Sequence, residues 1–189
     1  VKSVLGRWAK VTGRRLVYSG VGVLLFTPFF VASANASEAS LRVAFVYNFL
    51  KFIEWPAHKD QSVSLCALGA EGVTRQALAQ LEKKSQPQRQ TRVVYLDKTA
   101  DLDQYLNSCQ MIYRPASGER ISLPAQLPPG VLLVADEPDP RDGRVAIALL
   151  RTNDNRIEFV INEQAIDSAG VKVSSQLLKL AKKPTMERR

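Results

Sequence analysis

The chain has 189 residues with 26 Lys and Arg against 18 Asp and Glu, one His and two Cys, and a sequence pI near 9.7. Residues 1–36 hold five of the basic side chains and none of the acidic ones, which leaves 21 against 18 in the rest. That near balance argues against a nucleic-acid partner, and one His with two Cys argues against a structural zinc site.

The N-terminal segment reads as a targeting sequence. Lys2, Arg7, Lys10, Arg14 and Arg15 gather positive charge, an uncharged stretch runs from Leu16 to Val31, and small residues close it at Ala34-Asn35-Ala36. This predicts a signal peptide over 1–36, cleaved before Ser37. The alternative is a retained membrane anchor, which Ser19, Gly20, Gly22, Thr27 and Pro28 weaken by diluting the apolar run. Residues 37–183 are then expected to be one exported α/β domain with a single core, not itself membrane-spanning after cleavage. Residues 184–189 are expected to be a flexible tail.

A helical run covers Leu41 to Ile53 and stops at Trp55-Pro56, because the residue before a proline is driven out of the helical region. A strand from Val63 to Leu68 turns at Gly69 into a helix carrying Val73, Ala77, Leu78 and Leu81, with Lys83 and Lys84 at its tail. After the Gln86-Pro87-Gln88 loop come a strand at Arg92 to Leu96, a short helix near Ala100 to Leu106, and a strand at Gln110 to Tyr113. A weak helical segment is expected over Gly118 to Gln126, ending before Pro128-Pro129-Gly130.

The apolar run Val131 to Ala135 reads as a strand buried on both faces. Asp136 to Gly143 is an acidic, proline-containing loop. Val145 to Leu150 and Arg156 to Ile161 form two strands joined through Thr152-Asn153-Asp154-Asn155, a hairpin-length link. A last helix starts at Ser174 or Ser175, presents Leu177, Leu178 and Ala181, and stops at Pro184. The fold class is α/β: a three-layer sandwich with helices on both faces of a mixed, mainly parallel sheet that ends in an antiparallel hairpin.

Cys66 and Cys109 lie in the exported part, where an oxidising compartment favours a disulfide. It would close a loop of about 43 residues and contribute roughly 3 to 4 kcal/mol by chain entropy. Two separate buried thiols are the alternative.

The first helix has no continuous polar face. Arg42 and Lys51 are nine residues apart, about 900° of rotation, and so lie on opposite sides. Leu41, Phe45, Tyr47, Phe49 and Phe52 spread apolar surface around most of the circumference, more than one sheet face would hide. They are candidate contacts for a partner or a homodimer, with burial inside the protomer as the alternative. Trp55 either caps the core or anchors a partner, and His58 reads as a solvated loop residue.

The Gly69-Ala70-Glu71-Gly72 turn carries an acid where a phosphate would sit, and so reads as a plain turn. Asp136, Glu137, Asp139 and Asp142 lack the spacing of a calcium loop and read as a solvated turn, so no metal is expected. Loops at strand C-terminal ends still form the crevice in which α/β folds bind small molecules, which makes Gly69, Arg114 and Asp136 a candidate ligand site. No catalytic motif appears, and neither enzyme activity nor a cofactor is expected.

Several segments in order carry a likeness: Phe49-Leu50-Lys51-Phe52-Ile53-Glu54-Trp55-Pro56, Leu65-Cys66-Ala67-Leu68-Gly69, Cys109, Phe159-Val160-Ile161-Asn162, and Ser174-Ser175-Gln176-Leu177-Leu178-Lys179-Leu180-Ala181. Together they resemble the YfiR family over nearly all of the exported domain. The resemblance implies a periplasmic protein that represses a membrane-bound diguanylate cyclase by binding its periplasmic region, restraining cyclic di-GMP synthesis and biofilm formation. It also implies that Cys66 and Cys109 bridge neighbouring strands. The second cysteine pair of some relatives is absent, so redox sensing through extra cysteines is not implied. A small-ligand binding or envelope-stress sensing module without a cyclase partner is the alternative function.

Overall fold

The computed structural model describes residues 37–56, 62–83 and 90–183; the signal peptide expected over 1–36, His58, Lys84, the loop expected at Gln86-Pro87-Gln88 and the tail expected over 184–189 lie outside the described residues. In chain order the elements are α1 (Glu38–Phe52), β1 (Ile53–Glu54), β2 (Ser62–Leu68), α2 (Gly72–Lys83), β3 (Gln90–Leu96), α3 (Thr99–Tyr105), β4 (Met111–Arg114), β5 (Leu132–Asp136), β6 (Val145–Arg151), β7 (Ile157–Ile161), α4 (Glu163–Ala169), β8 (Lys172–Val173) and α5 (Ser175–Leu180).

Ser37 starts α1 by accepting from the Ser40 amide at 3.2 Å, and Glu38 and Lys51 complement the helix dipole at its two ends. The helix stops before Pro56 requires it to. Ile53 and Glu54 leave the helical path to pair antiparallel with Val173 and Lys172, a two-stranded sheet that the sequence pattern did not disclose.

The main sheet has the order β3-β2-β4-β5-β6-β7. Every neighbouring pair is parallel except β6–β7, which forms the antiparallel hairpin at one edge. Strand side chains alternate between two faces. Leu65, Met111, Tyr113, Leu132, Val134 and Phe159 meet α1 and α2 on one side, while Cys66, Leu68, Ile112, Leu133 and Ala135 meet Leu102 of α3 and Ile121 on the other. The result is the expected three-layer α/β sandwich with a mixed, mainly parallel sheet.

The helix expected over 118–126 is absent. A single 3-10 turn, Ala116–Gly118, gives way to irregular chain interrupted by Pro124 and Pro128, whose rings cannot donate to a helix ladder. Conversely, α4 had no strong periodic signal. Its start is set by Asn162, whose side chain accepts from the Ala165 amide at 3.3 Å, and its end by Gly170 at φ +65° in the left-handed region.

The acidic stretch is more than a solvated turn. Because β5 and β6 are parallel, residues 137–144 must return from the end of one strand to the start of the next, and they do so without a helix. Arg144 fastens this return by pairing with Asp142 at 2.7 Å and donating to the carbonyls of Leu123 and Pro124 at 3.1 and 2.8 Å. Crossover and irregular segment are thereby stitched together.

Cys66 on β2 and Cys109, just before β4, are bonded with their Cα atoms 5.7 Å apart and a sequence separation of 43. The bridge joins β2 to the segment leading into its neighbour β4 and encloses α2, β3 and α3. A Cys66→Ala/Cys109→Ala protein is expected to lose about 3 to 4 kcal/mol in urea unfolding. Treating the parent protein with reductant is expected to lower its unfolding midpoint in the same direction.

Candidate functional site

Helix α1 buries one stripe, Arg42, Val43, Val46, Phe49 and Leu50, at the spacing of a single helical face. Phe49 stacks edge-on against Phe159 at 5.1 Å, and Phe45 lies 6.0 Å from the same ring. Trp55 is buried and donates its indole N–H to the Gln110 carbonyl at 3.1 Å, so it caps the core. Leu41 remains 42% exposed, and Phe45, Tyr47 and Phe52 are half-buried beside exposed Ala44 and Asn48. Of the six apolar candidates, then, four reach the surface and two belong to the interior.

The stripe also contains a charge. The Arg42 side chain is 7% exposed and reaches three carboxylates: Glu38 at 2.8 Å, Glu137 at 2.7 Å and Asp136 at 3.5 Å. It donates as well to the Leu149 carbonyl at 3.2 Å. Burial alone would disfavour the guanidinium charge, but the hydrogen bonds to Glu137 and Glu38 outweigh it and push the Arg42 pKa up. Glu38 also pairs with Arg151 at 3.2 Å, while Tyr113 donates its hydroxyl to Asp136 at 2.9 Å. A helix, the ends of β4 and β5, and β6 are thus tied to one guanidinium.

Asp136 is the least satisfied member of this group. Its Oδ1 is buried without a hydrogen-bond partner. Burial raises the carboxyl from 3.8 to about 6, against the opposing pull of Arg42 and of the Tyr113 hydroxyl. Burial and the neighbouring Asp136 likewise push the Tyr113 hydroxyl upward, so it stays a donor. Part of the sequence signal for this network was available: an arginine amid an all-round apolar helix must find acids inside, and Asp136 directly follows the run Val131 to Ala135, read as a strand buried on both faces.

The three candidate ligand residues are not brought together. Strand order places the topological switch at the C-terminal ends of β2 and β4, with β3 on one side and β4 on the other. That crevice is filled by the chain's own 3-10 turn. Ser117 donates to the Gly69 carbonyl at 2.7 Å, and a Cβ on Gly118 would run into the Leu68 carbonyl. Arg114 and Asp136 leave adjacent strands toward opposite faces, Arg114 pairing with Asp142 at 3.5 Å and Asp136 with Arg42. An open groove of about 510 Å³ lies elsewhere, lined by residues such as Leu127, Pro129, Arg144, Ala165 and Ser168.

These features define a three-layer α/β domain with a partly covered, internally clamped first helix. The chain belongs to the YfiR/HmsC-like family, whose sequence profile matches residues 39–182. That family consists of periplasmic, non-catalytic regulators of diguanylate cyclase signalling. No curated protein matches the chain. No helix among the described residues is long and apolar enough to cross a membrane.

Two expectations follow. An Arg42→Met protein leaves Glu137 and Asp136 without their buried counter-charge and is expected to lose about 3 to 5 kcal/mol in urea unfolding at neutral pH. For Asp136, the folded pKa of about 6 lies above the ordinary 3.8. The folded state therefore holds a proton that the unfolded chain has lost, and this group's contribution to stability falls as pH rises through that window. Unfolding at a series of pH values should show the decline flattened in Asp136→Asn, by on the order of 1 kcal/mol per pH unit.

Proposed function

We propose that this protein represses an inner-membrane diguanylate cyclase by binding its periplasmic region, and so restrains cyclic di-GMP synthesis and biofilm formation. The observation that carries the reading is membership of a family of periplasmic cyclase regulators over almost the whole described domain. The binding face is assigned to Leu41, Phe45, Tyr47 and Phe52 of α1, with Ala44 and Asn48 between them. Its supports are exposure and rigidity: Leu41 is uncovered, and the buried stripe behind it holds the helix in one orientation. A preset helix face loses less entropy on docking than a mobile one. Phe49 and Trp55 act behind this surface by shaping it. A second copy is the competing occupant of the same face.

The second reading, a small-ligand or envelope-stress sensing module, draws on the open groove beside α4. Gly69, Arg114 and Asp136 would enter that reading only as separate points, since they line no common wall.

The test is capture of the exported protein from envelopes under non-reducing conditions, with its companions identified by mass spectrometry. A membrane diguanylate cyclase is expected to co-purify with the parent protein and to be lost from Leu41→Glu/Ala44→Glu, whose melting temperature stays within a few degrees of the parent. Charge at Phe49 would unfold the core and prove nothing about the surface. Recovery of the parent protein with no cyclase would sink the repressor reading.

A further inference from the structure

Helix α5 presents a surface that the cyclase reading does not use. Leu177 is buried, and successive helical residues turn by about 100°, so Lys179 points away from the protein with Leu178 and Leu180 on either side of it. Leu178 is 41% exposed and Leu180 is 68% exposed. Lys172, Lys182 and Lys183 flank the helix and are exposed as well.

The charge of the domain is divided unequally around this patch. Residues 172–183 carry four lysines and no acid, whereas residues 37–171 carry 15 basic against 17 acidic side chains. Two local counter-charges temper it: Glu158, which meets Lys182 at 3.2 Å, and Glu54, which lies opposite Lys172 in the β1–β8 pairing. The domain therefore has a cationic, leucine-bearing end on an otherwise slightly acidic body.

We propose that α5 and its flanking lysines dock on an anionic lipid bilayer surface, with Leu178 and Leu180 entering the headgroup region and Lys172, Lys179, Lys182 and Lys183 lying against lipid phosphates. Exposed leucines interleaved with lysines, whose long stems follow apolar surface while the ammonium stays wet, are the composition of an interfacial segment. Protein–protein interfaces show the opposite bias, being depleted in Lys and anchored by Trp, Tyr and Arg, none of which occurs in residues 172–183. Charge complementarity selects the lipid: each lysine near an anionic surface strengthens partitioning about fivefold, and a zwitterionic surface offers no such gain.

The contact also has a geometric consequence. The Ser174 amide, at the start of α5, donates to the Phe52 carbonyl at 2.9 Å, at the end of α1. A bilayer seated on α5 thus lies close to the C-terminal end of α1, whichever partner α1 binds. The inference concerns purified protein and lipid alone, so it stands or falls independently of the cyclase.

The experiment is co-flotation of the processed, exported protein with vesicles of phosphatidylethanolamine and phosphatidylglycerol, compared with vesicles of phosphatidylcholine alone. The N-terminus is checked by mass spectrometry, and each variant carries the same one. The parent protein is expected to float with the anionic vesicles and to be released by salt. Lys179→Glu/Lys183→Glu is expected to lower the partition coefficient at least twenty-fold, roughly the product of two fivefold losses. Leu178→Ser/Leu180→Ser is expected to reduce recovery at every salt concentration.

No flotation of the parent protein, or equal flotation on both vesicle types, overturns the proposal. So does recovery that is indifferent to salt, a readout that needs no variant and survives any misfolding of one. A leucine variant that splits a dimer in lipid-free sizing while floating like the parent assigns the patch to a second copy and ends the lipid reading. Loss of flotation with the cyclase still captured leaves the proposed function intact, so the two readings fail separately.

Discussion

The guanidinium of Arg42 is the point on which the layered arrangement turns. A charge buried in a helix stripe is costly unless its donors are met, and here Glu38, Glu137 and the Leu149 carbonyl accept them from the helix, from just past the end of β5 and from β6, with the Asp136 carboxylate 3.5 Å away as a further counter-charge. Apolar packing alone would tolerate small rotations of α1 over the sheet, because dispersion and burial have little directional preference. The forked donors of arginine do not, since each must point at a particular oxygen. The network therefore fixes the helix's rotation, and with it which apolar residues face outward. Leu41 and Phe45 are surface features because Arg42 faces inward.

The six strands of the main sheet were legible from the sequence because their signals are local. Val131 to Ala135 is apolar without interruption, as a strand covered on both faces must be, and the Thr152 to Asn155 span is short enough to force a hairpin. The family likeness pointed to neighbouring strands for Cys66 and Cys109, and the bridge runs from β2 to the segment leading into its neighbour β4. What escaped was set by partners distant in the chain. Ile53 and Glu54 leave the helix for a strand more than a hundred residues later, and no local pattern announces that pairing. Helix α4 was hidden by its brevity and by small residues such as Ala165 and Ala169, which carry little periodic signal.

The candidate site was legible in part. A helix with apolar residues all around stood out, but its wheel could not say which of them the sheet would take. Phe49 and Phe45 both reach the Phe159 ring, and only burial separates them, Phe49 being enclosed and Phe45 half-buried, while the Gln110 carbonyl decides for the core-capping reading of Trp55. Asp136 looked like the first residue of a wet acidic loop, yet it is the last residue of a buried strand, and one position separates those fates. The ligand crevice expected from topology failed for a similar reason. Glycine at 118 lets the following turn settle onto Leu68 and Gly69, so the fold spends its usual pocket on internal packing.

The cysteine bridge has a consequence for how the protein is made. Two cysteines allow one pairing, whereas four would allow three. A chain entering an oxidising compartment with this sequence cannot trap itself in a wrong intramolecular disulfide. Its maturation calls for an oxidant to form the bond, and for no thiol–disulfide reshuffling to correct it. Cys66 also emerges ahead of α2, β3 and α3, the three elements enclosed by the loop, and must wait for Cys109 to follow them. The bond can therefore form no earlier than the delivery of Cys109, by which point α2, β3 and α3 have emerged and β4 to β7 are still to come.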